Sequence, residues 1–322
     1  MSTRTETLLT SILSHFPAGV ESRARRPLSL FLDSRAQANR KEEWQGSALT
    51  GSGYPVELAF STGDSRLRYT VEPGLCSTRP VDRVKLAMAQ LVELGDEYRC
   101  EQDSALSGSI RAAAPVVYGA WVGGKHSAST DEYKIYFESS ELADAGHIGD
   151  ILFNGKLQSE FFANRAKLRM FAYSPKSRIA EAYYRVENLS PLEVRYLFCA
   201  METDRSAELI DQFSQSYGRQ VTGIFPGRTV GISYASTLGS DCVDTVSVFF
   251  VARCVWGSDS RIRNEIARIA REYDWDDAIY QKITMPLSQS HSALTSHGML
   301  GIVVCKDKPM HWSIGLRPPR LH

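Results

Sequence analysis

The chain has 322 residues, room for one large domain or two small ones, and its 37 Lys and Arg balance 37 Asp and Glu. No net field therefore directs it to nucleic acid or an anionic membrane, and any anion site must be built locally. Its six cysteines (Cys76, Cys100, Cys199, Cys242, Cys254 and Cys305) lie scattered without a C-x-x-C pair or a His at ligand spacing, which argues for reduced thiols rather than a zinc centre.

The opening segment MSTRTETLLTSILSHF lacks a continuous apolar stretch and a small-residue cleavage site, so a cytoplasmic protein without a leader is expected. No later run approaches the roughly 18 apolar residues of a membrane span. From residue 55 onward the dominant signal is period-two alternation, the mark of strands with two unlike faces. Segments 55–61 and 66–72 form a first hairpin across TGDS, with Arg66, Arg68, Thr70 and Glu72 on one face and Leu67, Tyr69 and Val71 on the other. Segment 81–98 then repeats apolar residues near i, i+3, i+4 and i+7, which predicts a helix.

A second pair covers 116–122 and 133–137, where Lys134, Tyr136 and Glu138 oppose Ile135 and Phe137. The third pair, 167–173 and 181–185, turns at SPKS; Lys167, Arg169, Phe171 and Tyr173 share one face, as do Glu181, Tyr183 and Arg185. After a predicted helix at 204–218, strands at 229–235 and 245–251 set Ser247 and Phe249 opposite Val246, Val248 and Phe250. A last helix at 258–275 precedes strands 298–305 and 311–317, joined by KDKP, where His311, Ser313, Gly315 and Arg317 oppose Trp312, Ile314 and Leu316. Short Gly, Pro, Asp and Ser turns inside each pair read as hairpins.

Arg68, Lys134, Glu181, Ser247 and Ser313 occupy matching positions 66, 47, 66 and 66 residues apart. Such spacing implies one repeated unit of hairpin and helices, shortened once. Alternating strands with a polar face fit either an open sheet with one wet side or a closed barrel with a wet interior. Amphipathic helices between the hairpins need an apolar surface to cover, and the outward Leu, Ile, Val, Phe and Trp rows supply it. The expected architecture is α+β: a closed, ten-stranded antiparallel barrel with a polar lumen, ringed by helices, as one domain over 1–322. An outer-membrane barrel would not carry helices between its hairpins.

The segment WQGSALTGSGYPVELAFSTGDSRLRYTVEPG (44–74), above all T-G-S-G-Y-P-V-E and L-R-Y-T-V-E-P, resembles the opening hairpin of dimethylallyltryptophan synthases, members of the ABBA prenyltransferases. LRMFAYSPKSRIAEAYYRVEN (168–188) is more similar to cyanobactin peptide prenyltransferases, with E-x-Y where the fungal enzymes carry K-x-Y. The resemblance implies a five-repeat barrel that moves a dimethylallyl or geranyl group from its diphosphate to a peptide side chain or an indole-like ring. It implies diphosphate contacts at Arg68, Lys134, Tyr136 and Tyr183, and a proton acceptor at Glu57.

The residues offer their own grounds for that chemistry. Arg68, Lys134, Lys167, Arg169, Arg185 and Arg317 would converge in the lumen, where cationic side chains stabilise a leaving diphosphate. Tyr136 and Tyr183 can donate hydroxyls to phosphate or turn ring faces to a cation. Glu57 is the only acid of its strand, and a carboxylate in a dry lumen approaches the working range of a general base. Alternatively, Glu57 pairs across the hairpin with Arg66 or Arg68. Trp121, Phe171, Tyr173 and Phe249 are expected to line the prenyl and acceptor pocket, with Gly231 and Gly315 leaving room. Glu181, an acid among phosphate contacts, suggests a Mg²⁺ contact, unless it pairs with Arg169. A monomer or homodimer is expected. A cyclase or isomerase of the same fold, or a non-catalytic barrel for an amphiphile, is the competing reading.

Overall fold

The computed structural model describes residues 3–38, 46–51, 53–95, 116–139, 164–240, 242–290, 292 and 294–318. Ten strands form a closed barrel in which each pairs with its sequence neighbours and the last closes on the first. They are β1 (Val56–Ser61), β2 (Asp64–Val71), β3 (Ala120–His126), β4 (Asp131–Glu138), β5 (Ala166–Ser174), β6 (Ile179–Glu187), β7 (Thr229–Thr237), β8 (Thr245–Val251), β9 (His297–Cys305) and β10 (His311–Leu316). Every pairing is antiparallel, as expected when short turns join successive strands.

Among the described residues, helices α1 (Thr3–Leu13), α2 (Ala18–Ala38), α3 (Pro80–Glu93), α4 (Pro191–Leu197), α5 (Ser206–Tyr217), α6 (Ala252–Trp256), α7 (Asp259–Glu272) and α8 (Ala278–Thr284) surround the barrel. The core lies between strands and helices, not inside the lumen. Outward residues such as Val122, Ile135, Val186, Ile232, Phe250 and Ile302 are fully buried. Phe213 of α5 meets Phe250 at 4.4 Å between centroids, and Phe31 of α2 meets Tyr133 edge-on at 6.4 Å. Each barrel wall thus keeps its polar row for the interior by giving its apolar row to a helix.

The predicted helices at 204–218 and 258–275 correspond to α5 and α7, and 81–95 falls largely in α3; residues 96–98 lie outside the described residues. The short helices α4, α6 and α8 carry too few turns for periodicity to reveal them, and helices this short persist only through packing.

Three local readings change. β3 starts at Ala120 rather than 116, because Tyr118 and Gly119 donate their N–H groups to the Glu138 carboxylate at 2.5 and 2.9 Å instead of continuing the ladder. Glu72 falls beyond β2 and is buried outside the lumen. In β5 the register shifts between Leu168 and Met170, a bulge that sets Phe171 opposite Ala182 and Tyr173 opposite Ala180. The extra residue reverses parity beyond it, so Phe171 and Tyr173 face the helices and Met170 and Ala172 face inward.

Glu72 ties three elements together. Its Oε1 accepts from Arg35 Nη2 of α2 at 2.7 Å and lies 3.6 Å from Arg83 Nη2 of α3, while Oε2 accepts the Ala48 N–H at 3.0 Å. With Arg35 and Glu72 at 0 and 1 % exposure, removing the acid strands buried guanidinium charge. Glu72→Gln is expected to cost about 3 kcal/mol in urea unfolding, while Glu93→Gln at the exposed end of α3 changes it by less than about 0.5 kcal/mol.

Candidate active site

Barrel closure builds the first part of the site. Ala59 of β1 pairs with Gly315 of β10 on one side and with Arg68 of β2 on the other, and Glu57 pairs with Thr70. Glu57 points into the lumen across the two strands that follow the closure. A methyl built on Gly315 would lie 2.5 Å from Glu57 Oε1, and one on Gly298 of β9 would lie closer still. Glu57 forms no hydrogen bond or ion pair with any described residue, so the expected alternative pairing with Arg66 or Arg68 is absent. Glu57 is half-buried, and desolvation of the carboxyl without a compensating cation raises it to about 7, because removal from water disfavours the charged form.

Arg66 serves the turn end of the barrel instead. Its Nε holds Asp64 Oδ1 at 2.8 Å, and Asp64 Oδ2 holds Lys125 Nζ at 2.8 Å. Burial opposes ionisation of Asp64, yet hydrogen bonds from Arg66 and Lys125 hold its carboxyl far below the usual range. Lys125 is an inward residue that the sequence reading missed by ending β3 at Val122. Continued alternation of Trp121, Gly123 and Lys125 against Val122, Gly124 and His126 was the available signal.

The middle of the lumen holds Lys134 on β4 and Glu181 on β6, joined as an ion pair. Ser233 of β7 donates its hydroxyl to Glu181 Oε1 at 2.9 Å. Burial works against both charges, but each partner outweighs it: Lys134 is raised and Glu181 lowered relative to their ordinary values. Lys134 Nζ also sits 5.6 Å from the Tyr136 ring centroid. Tyr136, Tyr183 and Phe249 continue as a row, with centroids 5.8 and then 6.3 Å apart. Burial first, then Glu181 and Tyr136, push the Tyr183 hydroxyl well above its normal range, so it stays protonated as a donor.

The expected basic residues thus have different fates. Arg68 makes no ion pair or hydrogen bond with any described residue, and its charge acts on Lys134, Lys125 and His311. His311 is depressed by burial and then by Arg68. Arg185 is bridged to Glu187 at 2.9 Å at the barrel rim, next to the exposed Lys167 that pairs with it across the ladder. Arg169 lies in the β5 bulge, where its carbonyl accepts the Ser139 N–H at 2.9 Å. Arg317 donates through Nη2 to Ser296 Oγ at 3.1 Å. The six cations therefore do not form one cluster; Arg68 and Lys134 occupy the interior and Lys167 and Arg185 the rim.

The pocket expectations also change. Trp121 faces inward opposite Tyr136, and its indole N–H is buried without a described partner. Phe249 faces inward opposite Gly231 and Gly301. Phe171 instead stacks on Phe137 at 5.0 Å under the helices, and Tyr173 is buried on that same outer face. Gly231 and Gly315 do not leave open room: a methyl on Gly231 would meet Phe249 Cβ at 3.3 Å, and the space at Gly315 is taken by Glu57.

Both oxygens of Glu181 are engaged. One oxygen is held by Lys134 and the other by Ser233, and among the described residues no three His, Cys, Asp or Glu gather as a ligand set. Mg²⁺ is usually held by one or two carboxylates together with substrate phosphates and water, so these pairings bear on Glu181 alone.

No protein-family model and no curated protein matches the chain. Solved structures do. The prenyltransferase PriB, in its ternary complex with L-tryptophan and dimethylallyl thiolodiphosphate, is 17 % identical over 99 % of both chains at a TM-score of 0.76. The 5-dimethylallyltryptophan synthase from Streptomyces coelicolor is 15 % identical over 98 % of this chain and 97 % of its own, at 0.75. AnaPT from Neosartorya fischeri is 11 % identical over 97 and 93 %, at 0.65. The likeness spans the whole barrel and its helices in each case, and the chain therefore has the ABBA prenyltransferase fold.

Proposed function

We propose that this chain is a prenyltransferase that moves a dimethylallyl group from its diphosphate to an indole-like aromatic ring. The observation that carries the reading is Glu57: an unpaired carboxyl raised to about 7, enclosed in the same lumen as Arg68, Lys134 and a row of aromatic rings. PriB and the Streptomyces coelicolor synthase, of the same fold, were captured with tryptophan and dimethylallyl thiolodiphosphates, which favours an aromatic acceptor over a peptide side chain and a C5 over a C10 donor.

In this mechanism the allylic C–O bond breaks and its electron pair leaves with the diphosphate. Arg68, Lys134 and the Tyr183 hydroxyl stabilise the growing negative charge, which they meet in a water-poor enclosure. The faces of Tyr136, Tyr183 and Phe249 shield the allyl cation and attract its charge. An electron-rich ring carbon then forms the new C–C bond, and Glu57 takes the proton displaced from that carbon, restoring aromaticity. Lys134 supplies the positive charge, with Glu181 already held by Lys134 and Ser233, and in this reading transfer needs no Mg²⁺ held by Glu181.

Glu57→Gln is expected to lower kcat at least ~10²-fold while the affinity for inorganic pyrophosphate, measured calorimetrically, stays within twofold. Full turnover by this variant would remove Glu57 as the base. Since the base works only when ionised, kcat/KM for the wild type should fall as pH drops below about 7 and level off above it; a profile flat from pH 5 to 8 contradicts the assignment.

Mass spectrometry of products from C5 and C10 diphosphates with tryptophan, other indoles and tryptophan-containing peptides identifies the acceptor. Product from the diphosphate alone would favour cyclisation or isomerisation of a bound prenyl compound, and tight retention of an amphiphile without pyrophosphate release would favour a binding barrel. Dialysis against EDTA should leave the rate of transfer unchanged, and restoration of a lost rate by Mg²⁺ would return Glu181 to a metal role.

A further inference from the structure

Glycine is usually required where the backbone turns to positive φ, but neither Gly298 nor Gly315 has a positive φ. Alanine could adopt either backbone, so the reason for glycine is space. At Gly315 an added methyl would stand 2.5 Å from Glu57 Oε1 and 2.9 Å from its Cδ, and at Gly298 it would overlap the same oxygen more deeply. The two glycines lie on neighbouring strands and close on one carboxylate.

The strand carrying Gly298 is irregular at this point. Leu300 pairs with Ile314 and His297 with Leu316, so Gly298 and Met299 together oppose Gly315. A bulge of this kind redirects side chains and has to be held in place by its surroundings. The hold comes from outside the barrel. Asp259, the first residue of α7, is buried, and its carboxylate accepts the Ser296 N–H at 2.9 and 3.0 Å and the His297 N–H at 3.1 Å. It also binds His297 Nδ1 at 2.6 Å, and His297 Nε2 meets the Tyr280 hydroxyl of α8 at 2.8 Å. From the side, the Ser296 carbonyl accepts the Arg317 N–H at 2.9 Å, and Ser296 Oγ accepts from Arg317 Nη2 at 3.1 Å.

We propose that Gly298 and Gly315 clasp the Glu57 carboxylate in its working position, and that Asp259 is the positioning residue that holds this clasp through Ser296 and His297. Asp259 touches no substrate; it acts through the bulge. The functional half of the proposal rests on Glu57 being the base, whereas the clasp itself is a packing relation that can be measured without turnover.

The test is a set of full-length variants checked for a native far-UV spectrum. Gly298→Ala should lower the Tm when Glu57 is present and be neutral or stabilising in a Glu57→Ala background, where the obstructing carboxylate is gone; Gly315→Ala should behave alike. Additive effects in both pairs would overturn the clasp. With dimethylallyl diphosphate and the indole that gives product, Asp259→Asn and Gly298→Ala should each lower kcat about tenfold or more. KM for the diphosphate and pyrophosphate affinity should stay within twofold. Pairing Gly298→Ala with the shorter carboxylate of Glu57→Asp should recover part of that loss. An Asp259→Asn protein with unchanged kcat, beside an inactive Glu57→Gln, would overturn the positioning role alone. Full turnover by Glu57→Gln would instead remove the base assignment while leaving the Tm coupling to judge the clasp.

Discussion

The closing ladder between β1 and β10 is the constraint on which the rest of the molecule depends. Leu58 pairs with Leu316, Ala59 with Gly315 and Ser61 with Ser313, joining residues separated by nearly the whole described chain. Without that ladder β1 and β10 would be free edges, and their polar faces would be open to water. With it, ten inward rows enclose a volume where charges feel a low dielectric, and the carboxylate on the first strand meets the glycines of the last two. The apolar outward rows then have no exposure to water because helices cover them, so closure and helix packing require one another.

Inside that enclosure, charge is balanced more closely than a tally of basic residues suggests. At the exposed rim Arg185 pairs with Glu187, Asp64 is shared between Lys125 and Arg66, and in the interior Lys134 is paired with Glu181. A buried pair of this kind contributes little net stability, since desolvation offsets the mutual attraction. It does orient both side chains before any ligand arrives. In the proposed function an arriving diphosphate finds Arg68 uncommitted among the described residues and competes with Glu181 for Lys134. Under the proposed function Glu181 acts as a brake on anion affinity, which sets this lumen apart from one lined only with cations.

The barrel was legible in the sequence because period two survives even when the identities of the residues vary. The hairpins, the inward row of Arg68, Lys134, Glu181, Ser247 and Ser313, and the lone acid at Glu57 all follow from it. The errors came where one residue interrupts the period. A bulge after Leu168 reverses Phe171 and Tyr173 without any glycine or proline to announce it, since Arg169 is an ordinary strand residue. Another bulge, at Gly298 and Met299, carried one weak signal, a glycine inside a strand. Pairing partners were illegible for a different reason: Lys134 could have been assigned to several acids by parity, and only the stagger of β4 to β6 selects Glu181. The burial of Glu72 depends on Arg35 of α2, an element whose mixed composition, with Pro27 inside it, gave no strong period.

The lumen has two unlike walls, and this division follows from the same strands. β2, β4 and β6 bring Arg68, Lys134, Tyr136, Glu181 and Tyr183, whereas β7 to β10 bring Gly231, Ser233, Ser247, Gly301, Ser313 and Gly315, with Phe249 lying across two of the glycines. Bulk and charge are concentrated on the first wall and small side chains on the second, although β10 also carries His311, on which Arg68 acts. Glu57 stands at the seam where β10 meets β1, next to the small wall and one strand from Arg68. Glu57 nonetheless forms no ion pair with Arg68. Its raised carboxyl is therefore a product of burial that no cation compensates.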